Sequence, residues 1–144
     1  MNPDIPVTLS EDATQPAYQS DHAAGMDLCS AVDFEIQPME RRLVPTGVRM
    51  AIPHGFEGQV RPRSGLAVKH GISMVNTPGT IDSDYRGEIA VIMINLGSEA
   101  VSFHKGDRIA QLVVCPIARA TLHVVADLDV TERGSGGFGS TGKK

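Results

Sequence analysis

Hydrophobic positions in this chain fall into short runs, each closed by glycine or proline. Residues 42–52 (RLVPTGVRMAI) form one β-branched, apolar run, in which Pro45 and Gly47 mark a bulge or an edge. Residues 56–61 (FEGQVR) alternate as an extended chain does, and 88–96 (EIAVIMINL) are nearly all apolar, as in a strand covered on both faces. Residues 108–117 (RIAQLVVCPI) read similarly. A short strand is expected near Val7 and another at 122–125. Only 64–70 (SGLAVKH), stopped by Gly71, reads as a turn or two of helix. Short strands punctuated by turns predict an all-β sandwich or barrel, with no repeat and no internal linker.

The pattern stops at Arg133. The stretch 133–144, RGSGGFGSTGKK, has five glycines and a single bulky apolar side chain, Phe138. Such a segment buries too little to order itself. It reads either as a frayed tail or as an arm able to close over a nucleotide, with a ring for a base, an arginine for phosphate and free amides for oxygens. Gly134, Gly136 and Gly139 spell GxGxxG, and 137–143 spell GxxxxGK. No helix follows either, and Lys144 stands where a P-loop needs serine or threonine, so neither carries its usual meaning.

A length of 144 residues fits one domain. A net charge of −4 gives no general basic face for duplex DNA, though a few focused arginines can still hold a phosphate. No apolar run approaches the ~20 residues of a membrane span, and the first residues, MNPDIPVTLSED, have no signal-peptide pattern. Cys29 and Cys115 each sit among apolar neighbours and read as two reduced, buried thiols in a cytoplasmic protein; nothing asks for a disulfide. The histidines never pair at ligand spacing, which argues against a zinc site.

Four stretches carry candidate chemistry. In RPRSGLA (61–67), Arg63 and Ser64 stand at a probable helix start; this is an anion site or a capped helix with a solvated arginine. In NTPGTIDSDYRGEI (76–89), Asp82 and Asp84 flank Ser83, as an exposed turn, a metal ligand pair or a general base. Gln111, an amide in an apolar run, braces a loop or holds a water or substrate. Asp27, in AAGMDLCSA, needs a cationic partner, and Arg63 is a candidate.

Taken in order, AGMDLCSA, RPRSGLA, NTPGTIDSDYRGE, GDRIAQLV and RGSGGFGSTG resemble the motifs of the dUTPase family, over nearly the whole chain. The resemblance implies a jelly-roll-like β fold (residues 1–132) with a flexible C-terminal arm (133–144). It also implies a homotrimer with active sites shared between subunits, binding neither nucleic acid nor membrane. The implied reaction is hydrolysis of dUTP to dUMP and pyrophosphate, with Mg²⁺ carried by the triphosphate and its waters and no direct protein ligand. Asp82 is then the general base for water attack on the α-phosphorus. Gln111 touches that water or the α-phosphate, and Arg63, Ser64 and Gly65 grip phosphate. Asp27 supports the metal's water shell or the neighbouring arginine. Asn76 and the backbone of Gly79, Thr80 and Ile81 read the uracil edge, Tyr85 lies under the deoxyribose, and Phe138 stacks on the base. Arg133, Gly139, Ser140 and Thr141 hold the outer phosphates.

Two other readings share this fold. A dCTP deaminase, or its bifunctional relative, needs a glutamate base, and Glu88 is the only glutamate near the uracil hairpin. A catalytically silent nucleotide-binding regulator would not need Asp82, Gln111, Ser64 and Arg133 together.

Overall fold

The computed structural model describes residues 2–142. Among these, ten strands and one helix follow in the order β1 (Val7–Leu9), β2 (Met26–Cys29), β3 (Phe34–Ile36), β4 (Arg41–Met50), β5 (Phe56–Arg61), α1 (Ser64–His70), β6 (Ile72–Met74), β7 (Gly79–Ile81), β8 (Ile89–Asn95), β9 (Val101–Phe103) and β10 (Arg108–Pro116). One sheet has the order β1-β4-β8-β6, a second β2-β10-β5-β7, and β3 and β9 form a two-stranded ribbon. Every pairing is antiparallel. Inward residues of both sheets meet in one core: Val44, Val91 and Met93 from the first, Leu28, Val60 and Leu112 from the second. Burying each of these side chains fully is worth roughly 1.5–3 kcal/mol.

The expected bulge lies where Pro45 and Gly47 put it. The β4–β8 register shifts between Pro45 and Val48. Gly47 adopts φ 70°, a left-handed conformation that glycine takes without strain. Thr46, buried in the bulge, donates to the Ile89 carbonyl at 2.5 Å. The same bulge offers the Gly47 N–H to Glu88 Oε1 at 2.6 Å. Asn95 ends β8 as a buried clamp, donating to the carbonyls of Ile36 and Glu99 and accepting from the Gly97 N–H.

Three sequence expectations need correction. The β8 strand is fully covered on one face only: Ile89, Val91, Met93 and Asn95 are buried, while Ala90, Ile92 and Ile94 are half-buried. Its sheet packs against the second sheet on a single side. Cys29 is buried but Cys115 is half-buried, at the end of β10 where the pattern of full burial lapses; both are free thiols. No strand forms at 122–125. After β10 the described chain runs on without pairing, and Leu122 and Val124 are 89% and 102% exposed. The apolar alternation continues through Leu128 and Val130, also exposed, so the strand pattern is present but a ladder partner is not.

Residues 133–142 form successive turns, with Gly136 N donating to Arg133 O and Ser140 N to Gly137 O. Lys143 and Lys144, part of the expected arm and of the GxxxxGK match, lie outside the described residues. No helix among the described residues is long and apolar enough to cross a membrane.

Candidate functional site

The ladder of the second sheet sets Asp27 opposite Gln111, and Gln111 opposite Arg61, in one row across β2, β10 and β5. Asp27, with its side chain only 14% exposed, pairs with Arg63 Nε at 3.4 Å and accepts from Arg108 Nη1 at 3.2 Å. The guanidinium of Arg63 reaches on to the Arg108 carbonyl at 3.0 Å. Arg63 is therefore the cationic partner that Asp27 required, and it is not a solvated arginine. Arg108 was missed by sequence reasoning. It opens the strand in GDRIAQLV, and a register shift between Arg108 and Ala110 displaces it from simple alternation. Two residues along β2, burial first and the charge of Asp27 second hold the Cys29 thiol above its ordinary range.

Gln111 braces: its Nε2 donates to the Pro62 carbonyl at 3.0 Å, fixing the loop from β5 into α1. A side chain at Gly25 would come within 2.8 Å of Gln111 Oε1, so this glycine keeps the approach to the amide clear. Arg63 takes the N-cap position of α1 in an extended conformation, without a capping side-chain bond, because a guanidinium has only donors and cannot accept from the first N–H groups of the helix; it pairs with Asp27. Ser64 and Gly65 follow in the first turn, both exposed. The helix ends as its sequence dictates: Gly71 at φ 69° turns its N–H onto the last carbonyls.

Removing the carboxylate tests this corner. Asp27→Ala should cost only about 1 kcal/mol of stability, because both arginines can turn to water. It should lower turnover efficiency more, by about tenfold, because Arg63 loses its bearing. Thermal melts and steady-state kinetics on one preparation separate the two effects.

A second group lies on the β6–β7 turn and the turn after β7. Asn76 and Thr80 are exposed and Gly79 is buried, with the Asn76 amide packed over it. Asp82 and Asp84 are exposed and Ser83 is half-buried. The Tyr85 N–H donates to the Asp82 carbonyl at 3.1 Å, closing the turn. The Tyr85 ring is 43% exposed, and its hydroxyl donates to the Glu88 carbonyl at 2.8 Å.

Asp82 and the Arg63 corner do not meet within the chain. Ile81 sits opposite Gly58 and Gly79 opposite Val60, so Asp82 leaves β7 toward the start of β5. Arg63 and Ser64 lie past its other end. From Gly58 to Arg61 alone is about 10 Å at ~3.4 Å per residue. In the described part of the C-terminal stretch, Arg133 Nε bonds Gly136 O at 2.7 Å, Phe138 is fully exposed, and Gly139, Ser140 and Thr141 are exposed beside it. Among the described residues, no cluster of three or more His, Cys, Asp or Glu side chains could hold a metal ion. Both oxygens of Asp27 already face arginines.

The sequence profile of the dUTPase family matches residues 11–142. A deoxyuridine 5'-triphosphate nucleotidohydrolase from an Anaeromyxobacter species is 61% identical over 128 residues, covering 89% of this chain and 87% of its own. Another of that name from Wolinella succinogenes is 60% identical over 135 residues, covering 94% and 91%. Among solved structures, the dUTPase of Staphylococcus bacteriophage 80alpha with dUPNHPP superposes with a TM-score of 0.92 at 29% identity, over 98% of this chain and 99% of that one. The motifs, the antiparallel sandwich and these likenesses agree along almost the full length: the chain belongs to the dUTPase family.

Proposed function

We propose that this protein hydrolyses dUTP to dUMP and pyrophosphate, limiting uracil in DNA and supplying dUMP for thymidylate synthesis. The observation that carries this reading is the pair of half-sites at opposite ends of β5 in a chain that matches the family over residues 11–142. One half-site offers an exposed carboxylate, Asp82. The other offers an arginine, a hydroxyl and an amide at Arg63, Ser64 and Gly65.

In this reading Asp82 takes a proton from a water as that water attacks the α-phosphorus in line. The new P–O bond forms as the bond to the bridging oxygen breaks, and pyrophosphate leaves. Arg63, Ser64 and Gly65 hold phosphate oxygens. Gln111 turns its remaining amide capacity to the water or the α-phosphate. Bound Mg²⁺ would offset charge on the triphosphate, with Asp27 steadying Arg63. On the nucleoside side, β7 is the outermost strand of its sheet. Its outer backbone groups are thus free of the β5 ladder and available to a uracil edge, beside Asn76. A site of paired donors and acceptors rejects the wrong base strongly. Tyr85 lies beneath the deoxyribose, Phe138 stacks on uracil, and Arg133, Gly139, Ser140 and Thr141 take the outer phosphates when the 133–144 arm closes over the body formed by 1–132.

The separation of the half-sites supports a homotrimer in which each site draws on more than one chain. So does the exposed apolar alternation from Leu122 to Val130, which no element of its own chain covers. The free thiols suit a reducing compartment, and we place the protein in the cytoplasm. A deaminase is disfavoured by Glu88, whose carboxylate is engaged by the Gly47 N–H.

The test is pyrophosphate release with Mg²⁺ from dUTP, dCTP, UTP and dTTP. Release from dUTP alone is expected. Ammonia from dCTP would favour the deaminase, and no product from any of the four would leave a silent binding protein.

A further inference from the structure

The turn from Asp82 to Glu88 holds a glycine whose role neither its conformation nor the chemistry above explains. Gly87 does not have the positive φ that favours glycine, so its backbone would accept an alanine. The obstacle is elsewhere. The three nearest atoms to a Cβ built on Gly87 all belong to the Tyr85 ring: Oη, Cζ at 2.5 Å and Cε2 at 2.9 Å. The hydroxyl end of the ring therefore lies against the bare backbone of residue 87, and a side chain there must push it off.

That same end of the ring is tethered by the turn. The Tyr85 hydroxyl donates to the Glu88 carbonyl at 2.8 Å. Glu88 is in turn fixed from outside the turn, because its Oε1 accepts the Gly47 N–H in the β4 bulge at 2.6 Å. A core strand, an anchored glutamate and a missing side chain thus set the position of one exposed aromatic ring.

We infer that Gly87 is a positioning residue for sugar selectivity: its bare backbone seats the Tyr85 ring at the depth that admits a 2'-deoxyribose and excludes a ribose. The inference rests on the reading of Tyr85 given above. It assigns the fineness of discrimination to a residue that does not touch substrate.

Gly87→Ala should leave kcat within about twofold, raise KM for dUTP about tenfold and lower the kcat/KM preference for dUTP over UTP about tenfold. A merely structural lesion would lower both substrates together and leave that ratio unmoved. The chain contains two tyrosines, Tyr18 and Tyr85, and no tryptophan, so fluorotyrosine labelling gives one resonance for each. Gly87→Ala should shift the Tyr85 resonance and not that of Tyr18. Tyr85→Ala sets the scale in parallel. If Tyr85→Ala keeps the full preference for dUTP, the reading of Tyr85 falls and this inference with it. If Tyr85→Ala relaxes the preference and Gly87→Ala does not, the inference alone is overturned. Should Gly87→Ala fail to fold, Tyr85→Phe decides, since it keeps the ring and removes only the tether. A preference reduced about threefold supports the inference, and an unchanged one overturns it.

Discussion

Asp82→Asn is expected to cut kcat for dUTP hydrolysis by about 10²–10⁴-fold while dUTP still binds. The substitution is close to isosteric, and the side chain is exposed, so no packing is lost. The hydrogen bond that closes the turn uses the Asp82 carbonyl, which survives the change. What disappears is an oxygen able to take a proton from water. The neighbouring Asp84 is also exposed, and Asp84→Asn is the matched control, with turnover expected to stay near that of the unaltered protein. Steady-state kcat for both variants, with calorimetric binding of a non-hydrolysable dUTP analogue, separates a base from a binding group. An Asp82→Asn protein that turns over normally would remove Asp82 from the mechanism, and one that loses binding in proportion would make it a substrate ligand.

Deleting residues 133–144 is the second large effect. The described residues of the segment, 133–142, hold only local turns, and the Phe138 ring is wholly exposed, so the body owes them no packing. Its value would be realised only over substrate. Stacking of an aromatic ring on a base is worth about 1–3 kcal/mol, and a charge-assisted bond from an arginine about 1.5–3 kcal/mol. Together they predict a loss of about 10²–10⁴-fold in kcat/KM on truncation. Because the exposed apolar stretch through Val130 is retained, light scattering should report the same assembly as for the full chain. A truncated protein of unaltered activity would return the segment to the status of a frayed tail, and a truncated protein that falls to monomers would give it a structural role.

Much of the fold was legible because long or strongly patterned runs carry their own information. The alternation FEGQVR became β5 with the same bounds, and SGLAVKH before Gly71 became α1. Pro45 and Gly47 announced the β4 bulge through backbone constraints alone. Strands of three or four residues, such as β3 and β9, are too short to show a period; they exist because Phe34 and Phe103 stack at 4.9 Å across a ribbon, a contact remote in sequence. Leu122–Val125 failed for the opposite reason. Its pattern is right, but pattern states what a segment could bury and not whether its own chain supplies the surface. Within the site, an isolated carboxylate at Asp27 correctly demanded an arginine. That it holds Arg108 as well depends on a local register shift that no spacing rule reveals. The roles of Gly25 and Gly87 are likewise invisible in sequence, since each is defined by the side chain lying over it.

With Asp82 and Arg63 beyond opposite ends of β5, sites shared between subunits, as proposed, would make the chain and the site different units of inheritance. If every site is assembled from neighbours, a copy damaged at Asp82 withholds its base from one site yet still lends its phosphate corner to another. Lesions at the two ends then fall in different complementation groups, although they sit in one chain. A cell carrying one faulty allele among sound ones would feel it through the arithmetic of mixed assemblies, not through the simple fraction of bad chains.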